Sequence, residues 1–510
     1  MWRRFQEVAR RHPSRIAISN ESGAATYAAL AEDAARLQQF LDPVRLPVVL
    51  IALPGGPAFT MVQLAVWGAQ GVVAPIPDKS TEREASGVLD LLMPDLVVIS
   101  SLAEQRDIVR GLSTPTTILT LNPSPDHECM HRIVCLADLG AHTAPLEKRQ
   151  PKWRRDLPPD ARLIQFTSGS TGQPKGIVLS NENLTANLDA NRTHLLQFEG
   201  MHVFSPLPQF HAMGGAVVME HLWHGSPVHL SNRFMPGDDV ARLRRYECRA
   251  ILAGPHYFKL MLRLGALSAD KMPGLHFFTI GTAAVEPQLV SELHQAYPAS
   301  VVYCRYGLSE SVGALTRMGL RAGDHFTQGQ VGHFVDGVEC EPAWQAQVSI
   351  DKQANGGEIV VRSPCNAVGQ LLATGQCVAI TDECGFLHTG DVGYLDHTGG
   401  LRLQGRLTSF IKVNGYRLSS LEIEAVLKTI PGVNEAVVIA TPDPVSGQRI
   451  VACLEPFPDA ELPAAAELDR HCRSRLSAYK LPQRFVVFNQ LPRTHAGKPN
   501  RPKILTEINR

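Results

Sequence analysis

The chain of 510 residues carries 49 lysines and arginines against 49 aspartates and glutamates, with 44% hydrophobic residues and ten cysteines. Zero net charge excludes a general electrostatic attraction to nucleic acid or to an anionic membrane, so an anionic ligand must be small and held by a local cluster. No apolar stretch reaches the roughly 20 residues that span a bilayer, and the scattered cysteines form no disulfide framework, so a soluble cytoplasmic enzyme built as one large α/β body plus a smaller unit is expected.

The opening Met1-Trp-Arg-Arg-Phe-Gln-Glu-Val-Ala-Arg10 is basic and amphipathic but lacks the apolar core of a secretory signal. It reads as a first helix running into the strand-like Ile16-Ala-Ile-Ser19. From about residue 26 to 150, a helical pattern over Tyr27 to Leu41 alternates with short apolar runs at Val48-Val-Leu-Ile-Ala52 and Leu96-Val-Val-Ile99. That alternation predicts parallel β/α layers. The polar, turn-rich segment around Pro123-Ser-Pro-Asp126 and Thr143-Ala-Pro145 contains His127, Cys129, His131 and Cys135. Their spacing fits no common zinc finger, and they are read as loop residues rather than metal ligands.

The stretch Leu163-Ile-Gln-Phe-Thr-Ser-Gly-Ser-Thr-Gly-Gln-Pro-Lys-Gly-Ile-Val-Leu-Ser180 then sets a glycine- and hydroxyl-rich loop between two apolar runs. Gly169, Gly172 and Gly176 let the backbone turn and approach a ligand, Thr167, Ser168, Ser170 and Thr171 supply short hydroxyls beside exposed amides, and Lys175 adds the charge. The pattern predicts a phosphate cradle. A Walker loop needs adjacent Gly-Lys followed by a helix, whereas here Gln173-Pro174 intervene and β-branched Ile177-Val178 follow, so the prediction is strand, loop, strand.

A second block of strands and helices runs to about residue 320, and from Gly329 to Gly405 shorter units such as Gly357-Glu-Ile-Val-Val-Arg362 and Gly399-Gly-Leu-Arg-Leu-Gln404 predict a small β subdomain. Beyond Arg406, Ser419-Ser-Leu-Glu422 is a capping-box signal for a helix with Ile423, Val426, Leu427 and Ile430 on one face, stopped by Pro431-Gly432. Strands at Ala436-Val-Val-Ile-Ala440 and Phe485-Val-Val-Phe488, with a helix near 463 to 477, complete a C-terminal α+β unit of about 100 residues.

Phe166-Thr-Ser-Gly-Ser-Thr-Gly-Gln-Pro-Lys-Gly176 resembles the phosphate loop of the adenylate-forming enzymes, which include acyl-CoA and aryl-CoA synthetases, peptide-synthetase adenylation domains and firefly-type luciferases. Further motifs of that family follow in its order: Phe210-His211-Ala-Met-Gly214, Tyr306-Gly-Leu-Ser-Glu310, His388-Thr-Gly-Asp391, Gly405-Arg406 leading to Ile411-Lys412-Val-Asn-Gly415, and Leu491-Pro-Arg-Thr-His-Ala-Gly-Lys498. The match spans nearly the whole chain. It implies an α/β fold with a large N-terminal adenylation domain (1–405) of two β/α layers plus a small β subdomain, a hinge (406–409), and a mobile α+β C-terminal domain (410–510) carrying a catalytic lysine.

The resemblance also implies roles. Activation joins two anions, the substrate carboxylate and the α-phosphate of ATP, so neutralising charge is the main catalytic task. Preorganised stabilisers of this kind contribute about 2.7–4 kcal/mol each. Lys175 and Lys498 are the candidate cations, with Mg²⁺ on Glu310. Tyr306 is expected to stack on adenine beside Gly307, Ser309 to meet the α-phosphate, Asp391 to hold the ribose hydroxyls, and Arg406 to contact ribose or phosphate. His211, after Phe210, resembles an acid-pocket gate, while Lys412 and Gly415 match the loop that faces the site during thiol attack.

Gly281-Thr282-Ala283-Ala284 stands where the family has Gly-Gly-Ala-Pro, so Thr282 either narrows the acyl pocket or fills a backbone gap. The hinge carries Thr408 where aspartate or lysine is usual, and Asn181 replaces a common histidine. The run Phe210-His-Ala-Met-Gly-Gly215 lacks the aspartate that pairs with an α-ammonium, which points to an aryl or aliphatic acid, and Arg305 is a candidate partner for a second substrate carboxylate. The expected activity is ATP- and Mg²⁺-dependent formation of an acyl-adenylate, then transfer to a pantetheine thiol of CoA or of an acyl carrier protein. Amide formation with an amine acceptor and a non-catalytic adenylate-binding relative are the alternatives.

Overall fold

The computed structural model describes residues 1–510 apart from 124–129, 142–145, 147–151, 169–173, 336–338, 344–356, 407–409, 414–415, 444–446, 477–479, 495–496 and 510. Contacts divide it into two units: Met1–Glu339 with Arg362–Leu387, and Cys340–Val361 with His388–Arg510.

In the first unit the alternation of apolar runs with helical patterns produces two layered sheets. One sheet is nine-stranded, in the order Cys377–Val378, Gly369–Leu371, Pro174–Ser180, Ala161–Ser168, Val72–Pro75, Val48–Ala52, Leu96–Ile99, Thr117–Thr120 and Arg132–Cys135. From Ala161–Ser168 to Arg132–Cys135 its neighbours run parallel. The other sheet runs Gln330–Phe334, Gly313–Leu320, Val301–Leu308, Phe277–Ile280, Ala250–Ala253, Val203–Ser205, Val228–Leu230, Ile16–Asn20 and Gly23–Thr26.

The helix Tyr27–Leu41 begins where Thr26 accepts the amide of Ala29, and it buries Tyr27, Leu30, Ala34, Leu37 and Leu41, the spacing of one helical face. It packs with the helices Pro57–Gly68 and Ala212–Leu222 in a core that takes Ile51 and Val73 from one sheet and Ile18 and Val203 from the other. This shared core makes the two layers one body. Separate clusters back the outer faces, around Phe258 and Phe278 for one sheet and around Leu50 and Ile164 for the other. The strands expected between 329 and 405 form and are shared out, since Gln330–Phe334 and Gly369–Leu371 extend the two large sheets.

In the second unit, Gly357–Arg362, Leu387–Leu395 and Leu401–Arg406 lie side by side, and Phe410–Val413 pairs with Tyr416–Ser419. A further sheet pairs Val433–Asp443 with Gly447–Pro456, which runs parallel to Arg484–Val487. Its alternation is clean: Val438, Ile450 and Ala452 face the helices Ser420–Leu427 and Ala465–Arg473, while Val437, Ile439 and Val451 face Arg501–Ile508. The helix expected near 463 to 477 spans Ala465–Arg473, shorter than its sequence pattern, and the helix Ser420–Leu427 ends before Pro431.

Candidate active site

The phosphate-loop segment is flanked by two paired strands. Ala161–Ser168 runs antiparallel to Pro174–Ser180, with Thr167 opposite Lys175 and Ser168 opposite Pro174, so Lys175 stands at the root of the hairpin and is half-buried. Gly169, Ser170, Thr171 and Gly172 lie outside the described residues, as do His127 and Cys129 of the upstream loop. Among the described residues no three histidine, cysteine or carboxylate side chains gather as a metal-binding group.

One polar side chain inside the hairpin's apolar run ties it to the next motif. Gln165 is buried and its Nε2 donates to the Phe210 carbonyl at 2.7 Å. Gln209, also buried, accepts the Gly56 amide at 2.9 Å and donates to Thr60 Oγ1 at 2.9 Å. Phe210 and His211 are thus fixed from both sides. His211 is the half-buried N-cap residue of the helix Ala212–Leu222. The first turn of that helix presses on the preceding loop so closely that a Cβ at Gly214 would lie 2.0 Å from the Pro208 carbonyl oxygen. Only glycine fits there.

The Tyr306 motif sits at the carboxyl end of the strand Val301–Leu308. Tyr306 pairs with Thr316, then the register slips between Tyr306 and Gly307. Such a bulge re-aims the side chains around it. A Cβ at Gly307 would fall 1.6 Å from the Gly313 carbonyl oxygen, so this hairpin closes only over glycine. Ser309 and Glu310 open a short 3₁₀ turn whose Glu310 carbonyl accepts the Ala367 amide at 2.8 Å. The Glu310 side chain is half-buried, and among the described residues its carboxylate has no ion-pair partner. A single carboxylate without an ion pair among the described residues suits a Mg²⁺ ion, which takes few protein ligands and keeps most of its waters. Gly281 is buried, Thr282 half-buried and Ala283 exposed, at the end of the neighbouring strand Phe277–Ile280.

Arg305 is already paired within the protein. Its guanidinium makes a bidentate pair with Glu220, at 2.9 and 2.7 Å, with both side chains buried. The second-carboxylate role is overturned, because the charge is already neutralised within the protein. Beside this pair His221 is buried, and burial first, then the Arg305 charge, lowers its pKa to about 3. It is neutral at physiological pH. Glu220 and Gln165 escaped the sequence reading, yet each is a polar residue stranded in an apolar run, and such residues are buried with partners.

Asp391, Arg406, Lys412 and Lys498 belong to the second unit. The strand segment His388-Thr-Gly-Asp391 is anchored on Glu358, which accepts the Gly390 amide at 3.0 Å and pairs with His388 Nδ1 at 3.0 Å. Thr389 Oγ1 donates to the Ile359 carbonyl at 2.6 Å and accepts the Asp391 amide at 3.0 Å. Gly390 takes φ +68°, and Asp391 is buried directly opposite Arg406 in the strand register. The two nucleotide candidates are cross-strand neighbours. Lys412 pairs with Arg417 in the small hairpin, and Gly415 lies outside the described residues. Lys498 is exposed on a tight turn closed by Thr494 N to Lys498 O at 2.7 Å. Arg493, held by Glu455 at 3.0 and 3.2 Å, donates to the Gly497 carbonyl at 3.2 Å and braces that turn.

The AMP-binding enzyme family matches residues 5–370, and its C-terminal domain family matches residues 422–498. The chain belongs to the AMP-binding enzyme family. Among family members, the sulfoacetate–CoA ligase of Cupriavidus necator is 29% identical over 96% of this chain and 94% of that protein. The oxalate–CoA ligase of Arabidopsis thaliana is 28% identical over 68% of this chain and 67% of that protein. In fold the chain is similar to the O-succinylbenzoate coenzyme A synthetase of Bacillus subtilis in complex with AMP, with a TM-score of 0.78 and 22% identity over 98% of this chain and 97% of that one. The amide bond synthetase of Marinactinospora thermotolerans gives a TM-score of 0.80 and 23% identity over 99% of both chains.

Proposed function

We propose that this member of the family is an AMP-forming acid–thiol ligase whose two half-reactions are divided among the residues above. In the first, a carboxylate oxygen attacks the α-phosphorus of ATP, the bond to the β-phosphate breaks and pyrophosphate leaves. In the second, a thiolate attacks the acyl carbon and AMP leaves. ATP and Mg²⁺ serve the first step and CoA the second; a carrier-protein phosphopantetheine presents the same thiol.

One observation carries the reading. A single cavity is bordered by Gln165 of the phosphate-loop strand, by Ala212 after His211, and by Ser309 before Glu310. These lining residues are sequence neighbours of the phosphate-loop, His211 and Glu310 candidates, which supports assigning the three to one region of the first unit. Lys175 is assigned to the leaving phosphates, Tyr306 to adenine, Ser309 to the α-phosphate, and Mg²⁺ at Glu310 would neutralise phosphate charge. His211 is assigned to the acid, Asp391 and Arg406 to the ribose, and Lys498 to the carboxylate and α-phosphate as charge moves between them. Residues 406–409 are assigned as the hinge and Lys412 with Gly415 as the face used during thiol attack.

The acid is aryl or aliphatic rather than an α-amino acid, because no carboxylate stands in the His211 segment to meet an ammonium group. The names of the relatives, sulfoacetate–CoA and oxalate–CoA ligase, favour free CoA as acceptor. Among the described residues no helix is long and apolar enough to cross a membrane, and the reading implies a compartment supplied with ATP and CoA, the cytoplasm. The test is ATP–pyrophosphate exchange across aryl, aliphatic, dicarboxylic and amino acids, followed by mass spectrometry of the product with CoA, a phosphopantetheinylated carrier protein or an amine. Exchange with one acid class and a CoA thioester is the expected result. Tight ATP binding with no exchange for any acid would refute it.

A further inference from the structure

We propose that Met213 and Thr282 set the size limit of the acid and that this limit is a short acyl group; the proposal rests on the adenylation reading above. The strands Ala250–Ala253, Phe277–Ile280 and Val301–Leu308 run parallel as neighbours. Ligands of open α/β sheets bind in the crevice outside the carboxyl ends of such strands, and Tyr306 and Ser309 stand at this end.

The residues that follow the first two strands are Gly254 and Gly281, which by themselves leave two notches in the crevice floor. Neither notch is open. A Cβ at Gly254 would meet Thr282 Oγ1 at 2.9 Å, and a Cβ at Gly281 would meet Met213 Cε at 2.9 Å and its Sδ at 3.7 Å. Each glycine is covered by the side chain of another residue. Met213 comes from the first turn of the helix that His211 caps, so the plug over Gly281 lies two residues from the acid-binding histidine.

Thr282 reaches its notch from φ +71°. A β-branched residue rarely takes that conformation, whereas glycine takes it freely. The chain thus carries conformational strain at the residue whose side chain covers the Gly254 notch. Thr282 and Met213 are both half-buried, and Ala283 and Ala284, which follow Thr282, are small and exposed. An acid seated by its carboxylate near His211 meets the methionine methyl and the threonine side chain within a short reach.

The experiment compares wild type, Thr282→Gly and Met213→Ala in ATP–pyrophosphate exchange. The acids are a straight-chain series from acetate to decanoate and a parallel series from benzoate to phenylhexanoate. In wild type kcat/KM falls with length in the series it uses. In each variant the long-to-short ratio of kcat/KM rises by about tenfold or more, the scale on which an apolar pocket discriminates a methylene group. An unchanged length profile in both variants, with exchange retained, would overturn the proposal and leave adenylation standing, as would a wild type that prefers the longest acids. No exchange with any acid in any of the three proteins, with ATP still bound, would remove the adenylation reading and this one with it.

Discussion

Glu220 receives both terminal nitrogens of Arg305, at 2.7 and 2.9 Å, with only 1% and 4% of the two side chains exposed. The pair joins the helix that starts beside His211 to the strand Val301–Leu308 that carries Tyr306. Bidentate geometry makes it strong and directional, and burial makes either partner costly when left alone. It therefore fixes the spacing between the acid and the adenine candidates.

Glu220→Gln should lower unfolding stability by about 3–5 kcal/mol, since it leaves the Arg305 charge buried without its counter-ion. Urea unfolding measures that loss. Replacing both partners with methionine should recover much of the stability, because an apolar pair of similar volume replaces the ion pair without an unpaired charge. Pyrophosphate exchange should stay depressed in the double variant, with raised KM for acid or ATP. Full recovery of activity together with stability would reduce the pair to a packing role.

Much of the architecture is legible in the residues. The helix Tyr27–Leu41 and the strands Val48–Ala52 and Leu96–Ile99 match their sequence patterns residue for residue, because each is a regular apolar pattern bounded by turn formers. The phosphate hairpin was legible for the same reason, through Pro174 and the β-branched pair after it. The partners of the motif residues were not. Nothing near Arg305 in sequence points to Glu220, which is 85 positions away. Likewise the grip of Glu358 on the Gly390-Asp391 segment and of Glu455 on Arg493 arises only when distant segments meet. The sharing of the 329–405 strands between sheets is likewise a matter of long-range pairing, which local pattern does not encode.

Gly214→Ala tests how tightly the His211 segment is set. With the new Cβ 2.0 Å from the Pro208 carbonyl oxygen, backbone must move. An overpacked site of this kind costs about 1–3 kcal/mol. The urea midpoint should fall accordingly, and the KM for the acid should rise more than the KM for ATP, since His211 and not Tyr306 shares the displaced turn. Equal effects on both substrates would place the acid elsewhere.

Lys498→Ala should leave the fold intact, because the side chain is exposed and the turn is held by backbone bonds and by Arg493. Pyrophosphate exchange should fall by about 100- to 1,000-fold, the usual effect of removing one preorganised charge stabiliser. Transfer from a preformed acyl-adenylate to CoA, followed in a single turnover, should persist. Wild-type exchange in this variant would remove Lys498 from the first half-reaction.

Stability should fall on mild acidification through two buried histidines. His229 accepts or donates at both ring nitrogens, to Ser19 Oγ at 2.7 Å and to His202 Nδ1 at 2.9 Å. Burial, then the neighbouring His202 and Arg242, lowers its pKa to about 3, and burial with Arg305 does the same for His221. The unfolded chain binds a proton at each near its ordinary value of 6.5, whereas the native protein does not until about pH 3. The full contribution is therefore present above about pH 6.5 and is lost as pH falls, at about 2 kcal/mol per histidine by about pH 5. Urea midpoints at about pH 7.5 and about pH 5 should differ in that direction, and His229→Gln should remove about half of the difference assigned to the pair. A midpoint that does not move between these pH values in wild type would mean that both rings accept protons in the native state.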